Sequence, residues 1–182
     1  MRTMAVMMKN HLLLAAVLLL HSVPSLAQHT TMPPGMSHEE HLRQLKADEA
    51  LKQRGALAMG FDQDNTAHHF FLRPNGGEIQ VVATSPADAA SIVQIRSHFQ
   101  EIAVAFAEGL FTKPVATHGE LPPGAATLAA NKARISYRYQ ERTAGASVVI
   151  ETTDAATLEA LHDFLRYQIV EHKTGDPLTV TP

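Results

Sequence analysis

The chain has 182 residues, with 15 Lys and Arg against 18 Asp and Glu, a formal net charge of −3, and no cysteine. That length suits one domain with a real core, and a mildly acidic balance without a basic block argues against nucleic acid or an anionic membrane as the main partner. The missing thiols exclude disulfides, a lipoprotein anchor, thiolate metal sites and cysteine catalysis.

Residues 1–27 read as a cleavable secretory signal. Arg2 and Lys9 supply the positive start, Leu12 to Leu20 an apolar run too short to span a bilayer, and Ser25-Leu26-Ala27 the small-residue cleavage pattern. Export to a periplasm, or full secretion, is expected, with the product starting near Gln28. Without Arg2 and Lys9 it carries 13 basic residues against 18 acidic, a net charge of −5. No second apolar run of membrane length follows, so no membrane partner is expected after cleavage.

Residues 28–54 read as a His- and Met-containing leader followed by a helix. Ser37 and Glu40 form a capping-box pair that opens the helix, which runs to about Arg54 with a thin stripe of Leu42, Leu45 and Leu51. Residues 55–182 read as a single domain. Leu57, Met59 and Phe61 alternate like a first strand, Asp62 to Thr66 is turn material, and His68 to Arg73 is a second strand. Pro74-Asn75-Gly76-Gly77 signals a hairpin, and Glu78 to Thr84 returns. Ser85 as N-cap with Pro86 starts a helix whose apolar face is Ile92, Ile95, Phe99, Ile102, Phe106 and Leu110. Thr112 to Gly124 reads as a loop and Ala125 to Ala133 as a short helix. Ile135 to Tyr139 and Ser147 to Thr153 then alternate as strands, and Asp154 caps a helix with Leu158, Leu161, Leu165 and Ile169 on one face. The expected fold is α+β: an antiparallel sheet of about five strands with two main helices on one face, compatible with two hairpin-plus-helix repeats.

In a chain without thiols, a transition metal finds imidazole, thioether or carboxylate, and Met with His suits copper best. One candidate set lies in the folded domain: His68 or His69 from a strand, His98 at the edge of a helix's apolar face, His118 from the loop, and Met59 as a soft ligand. Neighbouring strand residues face opposite ways, so His68 and His69 do not easily share one ion. The weaker set is N-terminal: His38 and His41 lie one helical turn apart, with His29, Met32 and Met36 in the leader. Against both stands the plainer reading, of boundary and leader histidines satisfied by backbone or water.

Asp62-Gln63-Asp64-Asn65-Thr66 resembles the D-x-D-x-T loop of haloacid-dehalogenase-like phosphatases over five residues, but a hairpin follows where that family has a βαβ unit. No G-x-S-x-G, phosphate-binding glycine loop or C-x-x-C-H is present. No catalytic residues are assigned.

MGFDQDNTAHHFFL, RSHFQEIAVAFAEGLF, THGELPPG and FLRYQIVEHKTGDP resemble the recurrent segments of a family of small exported bacterial proteins of unassigned function. Members have carried the label aspartate carbamoyltransferase, but the S-T-R-T-R and H-P-x-Q segments of those enzymes are missing here. The resemblance implies that Met59, His68, His69, His98 and His118 belong to the recurrent part, which favours the set in the domain. The leading expectation is a non-catalytic periplasmic metal-binding protein, copper first. The alternative is a metal-free module holding a small molecule or a protein on the open sheet face, where Phe71, Val82 and Val149 would mark an apolar patch.

Overall fold

A computed structural model describes residues 32–181. The signal segment and His29 lie outside them. From Met36 onward the described residues form one compact unit. Among the described residues no helix is long and apolar enough to cross a membrane.

Ser37 caps the first helix, α1 (His38–Met59), in a full capping box: its hydroxyl accepts from Glu40 N–H, and the Glu40 carboxylate accepts from Ser37 N–H. The helix continues past the expected end at Arg54 and absorbs most of the segment expected to be a first strand. Five alternating residues are too few to separate the two periods, and Gly60, left-handed at φ 80°, ends the helix instead. The sheet accordingly has four strands: β1 (Thr66–Arg73), β2 (Gly76–Ala83), β3 (Ile135–Arg142) and β4 (Gly145–Thr152), all antiparallel in the order β1-β2-β4-β3. Two long helices follow the hairpins, α2 (Ala89–Ala107) and α5 (Ala155–Glu171). Between them stand α3 (Thr112–His118), in a segment expected to be loop, and α4 (Ala125–Ala130). Pro114 is accommodated in the first turn of α3, where its missing N–H costs nothing. Asp88, not Ser85, caps α2 by accepting from Ser91 N–H, while Ser85 closes the preceding turn.

The two halves follow one strand pattern. Every strand boundary of the first half recurs 69 residues later, 66 at 135, 73 at 142, 76 at 145 and 83 at 152, and the capping Asp88 recurs as Asp154, 66 later. The central pairing is self-consistent under this exchange, with Gly76 opposite Glu151 and Val82 opposite Gly145. Each long helix lies mainly over the strands of the other half, α2 on β3 and β4 and α5 on β1 and β2. The crossing is pinned at both ends. Arg96 of α2 donates to the carbonyls of Arg142 (3.0 Å) and Gly145 (3.3 Å), and its counterpart His162 of α5 reaches those of Arg73 and Gly76, both at 3.0 Å.

One sheet face carries Phe70, Leu72, Ile79, Val81, Val148 and Ile150 onto Ile95, Phe99, Phe106, Leu161, Phe164 and Leu165, all buried. At about 1.5–3 kcal/mol per buried side chain this core is the main stabilising term. The opposite face does not form the expected apolar patch. Glu78 sits between Phe71 and Val149 in the cross-strand register, buried and bound by the Arg142 guanidinium, with Arg73 3.8 Å away. The free edge of β1 is covered by the C-terminal segment: Asp176 accepts from Phe70 N–H (3.0 Å), and Thr181 N–H donates to Leu72 O (3.0 Å).

Candidate functional site

Four histidines from four elements line one small apolar cavity. His68 comes from β1, His98 from α2, His118 from the last residue of α3, and His172 from the cap of α5. Met59, the last residue of α1, completes this wall, and Phe70, Phe99 and Phe164 line the remainder. The volume is about 60 Å³, enough for an ion or a few waters, since one water needs about 10–15 Å³ of such space.

The rings are in mutual contact. His68 and His172 stack with centroids 5.3 Å apart and planes 7° from parallel, and His118 meets His172 edge-on at 5.2 Å. Phe61 bridges His68 and His98, at 5.9 and 5.6 Å. On its outer side the His68–His172 pair also lines a groove of about 370 Å³, with Asp48, Lys52, Glu171 and Lys173 on its rim. The stacked rings therefore line both the cavity and this groove.

Each element delivers its histidine for a physical reason. On β1 the pleat sends His68 inward with Phe70 and Leu72 and sends His69 outward, where its Nδ1 stands 3.1 Å from Asp176. Of the two adjacent histidines expected as alternatives, His68 is the one at the cavity and His69 is not. On α2, His98 is 6% exposed, drawn in beside Phe99. His118 depends on α1, whose few apolar contacts conceal a polar clamp. Arg54 donates to Thr117 O (2.9 Å), and Lys113 donates to Ala58 O (2.8 Å), fixing α3 against the C-terminal turn of α1.

The chemistry of the cavity is set by what its nitrogens lack. His68 Nε2, His98 Nδ1 and His118 Nδ1 are buried without a hydrogen-bond partner, as is Gln168 Nε2. Such groups are costly to bury unpaired. For His118 the tautomer follows from its neighbour. Its Nε2 lies 2.9 Å from Gln168 Oε1, an amide oxygen that only accepts, so Nε2 carries the proton and Nδ1 keeps a bare lone pair. Burial pushes His68 down to about 4, with His69 adding to it, and His98 down to about 4, with Lys113 and His68 adding to it. His172 falls to about 3 by burial and by His68 and His118, while His118 is lowered by burial against the raising effect of its bond to Gln168. At neutral pH all four are uncharged, the state in which imidazole binds a metal. Among the described residues no three His, Asp or Glu side chains stand as a ready-made metal cluster, so gathering an ion requires the rings to turn about their side-chain bonds.

The second expected set is not gathered. His38 and Met32 are exposed, His41 and Met36 half-buried, and His29 lies outside the described residues. Asp62 closes a local turn by accepting from Asp64 N–H (2.8 Å) and Asn65 Nδ2 (3.0 Å), which accounts for the acidic loop without a phosphatase. His172 is a cavity residue that the spacing argument passed over; it lies three residues beyond Ile169 and continues the stripe of α5. No family model matches the chain, no curated protein matches it, and no solved structure matches its fold.

Proposed function

We propose that the chain is an exported metal-binding protein, with copper the first choice, that holds or hands over an ion without catalysing a reaction. His68 Nε2, His98 Nδ1 and His118 Nδ1 are its nitrogen ligands, and the Met59 thioether is the soft donor that favours copper over harder ions. The observation that carries this reading is the set of three partnerless imidazole nitrogens on one cavity, one of them left as a lone pair by the Gln168 bond. An imidazole ligand whose other nitrogen is held by a carbonyl oxygen is the usual arrangement around a bound metal. His68 and His172 line both the cavity and the outer groove, which gives an ion one route to the site.

Titration with Cu(I), Cu(II) and Zn(II), each in turn, tests the reading beside a His98→Ala/His118→Ala variant. One tight equivalent is expected, lost in the variant, and Gln168→Leu is expected to weaken binding about 10–100-fold. Equal, weak binding by native and variant chains would sink the proposal. A second reading is favoured by the outer groove: a small organic molecule seated there against His68 and His172, with no metal. Calorimetry on metal-stripped protein, showing histidine-dependent ligand binding, would select it. The export part of the reading predicts an N-terminus at Gln28 in the recovered protein.

A further inference from the structure

The donors missing from the wall of the histidine cavity are the hard ones. Among the described residues no Asp or Glu lines it, and the polar side chains beside the four imidazoles are Lys113, Thr117 and Gln168. The oxygens of the last two are already engaged: the Thr117 hydroxyl donates to Lys113 O (3.1 Å), and Gln168 Oε1 accepts from His118 Nε2 (2.9 Å). Carboxylates stand in the grooves outside. Glu101 is 3.5 Å from the Lys113 ammonium, which also donates to Ala58 O, and Glu171 and Asp48 line the outer groove. What remains for a ligand is uncharged and soft: the partnerless His68 Nε2, His98 Nδ1 and His118 Nδ1, with the Met59 thioether.

We infer, resting on the metal reading above, that the cavity selects the monovalent soft ion Cu(I) and discriminates against Cu(II) and Zn(II), a choice of oxidation state that reading leaves open. Charge decides first. Moving an ion out of water costs roughly as the square of its charge, and with no carboxylate on the wall a divalent ion recovers none of that cost by pairing. The Lys113 ammonium on the same wall repels a divalent ion twice as strongly as a monovalent one. Phe70, Phe99 and Phe164 keep the surroundings apolar, which sharpens both effects. Coordination decides second. Zn(II) takes a tetrahedron of donors and Cu(II) a tetragonal set of nitrogen and oxygen, and among the described residues no three His, Asp or Glu side chains stand ready for either. Cu(I), with a filled d shell, imposes no such geometry, is satisfied by fewer donors and favours thioether beside imidazole. The ion enters and leaves as Cu(I), so no oxidant or reductant takes part.

Anaerobic titrations of the whole chain in competition with a chromophoric chelator test it, using Cu(I), its redox-inert analogue Ag(I), Cu(II) and Zn(II). Binding at the cavity is the part lost in His98→Ala/His118→Ala, which sets aside any ion held by the leader histidines. Cu(I) and Ag(I) are expected to bind there at least about 100-fold more tightly than Cu(II) or Zn(II). Met59→Leu is expected to weaken Cu(I) about tenfold and leave Zn(II) unmoved, whereas Met59→Glu, at a half-buried helix end, is expected to reverse the order by giving the wall a carboxylate. Cavity binding of Cu(II) or Zn(II) within about tenfold of Cu(I) would overturn the selectivity and leave the metal reading standing. Absence of cavity binding for all four ions would overturn both.

Discussion

His98 is the least exposed of the four cavity imidazoles, and its neutral form is the one the fold accepts. Burial lowers its pKa from 6.5 to about 4, and that of His68 likewise. Because the folded value is depressed, the unfolded chain takes up protons below pH 6.5 that the folded chain refuses. Stability is therefore complete above about pH 6.5 and is lost as the pH falls through the window to about 4. Position 98 corresponds to Phe164 in the second half, which makes His98→Phe a natural control. In urea melts between pH 7 and 4, the variant is expected to lose less stability than the native chain, by roughly 3 kcal/mol at about 1.36 kcal/mol per pK unit. Parallel pH profiles for the two would refute the link to His98. Much of the site is legible at this scale, since helical spacing alone puts His98 at the edge of a buried face. What spacing leaves open is which of His68 and His69 turns inward, a choice made by the register of β1 against the whole sheet. His172 escapes for a different reason: it is the cap of α5 rather than a body residue, and its burial comes from α3 and β1.

Among the elements, the central strands β2 and β4 leave no room for a side chain at two glycines, one on each strand. A Cβ added at Gly76 would stand 1.9 Å from Ile150 O, and one at Gly145 would stand 2.1 Å from Val81 O. These are equivalent positions of the two halves, so the lack of room is a property of the shared pattern. Gly76→Ala and Gly145→Ala are each expected to cost about 2–4 kcal/mol, because the clash is with backbone that must move as a strand. Chemical denaturation of both variants checks this, and a neutral substitution at either position would contradict the packing. The hairpins and the two long helices are readable from the sequence because turn residues bound the short alternating strands and each helix keeps one apolar stripe over several turns. The end of α1 and the whole of α3 are not. Leu57 to Phe61 fits either period, and Pro114 reads as a break although its place in the first turn of α3 is permissive.

For the molecule as a whole, the cross-over of the helices decides how it unfolds. Arg96 and His162 each tie a helix of one half to the hairpin turn of the other, satisfying two carbonyls apiece. Arg96→Met and His162→Phe leave those carbonyls without their donor and are each expected to lower stability by about 1–3 kcal/mol. Thermal melts of either variant should remain single transitions, because a loosened turn in one half releases the helix that covers the other. Two separated transitions would show that the halves are independent. The shared pattern of the two halves also shows where the histidine cavity stands alone. His68 corresponds to Tyr137 and His98 to Phe164, so only one of two equivalent corners carries imidazole.

Since each hairpin is roofed mainly by the helix of the other half, the polypeptide behaves as two interlocked partners joined by a tether, the stretch from Gly119 to Pro123 between α3 and α4. Cutting that tether would leave α1-β1-β2-α2-α3 and α4-β3-β4-α5 as fragments that each lack most of their cover and each supply the other's. Their reassembly would restore the cavity only as a joint product, with His68, His98 and His118 on one piece and His172 and Gln168 on the other, so the return of the depressed imidazole titrations would report complementation of the halves.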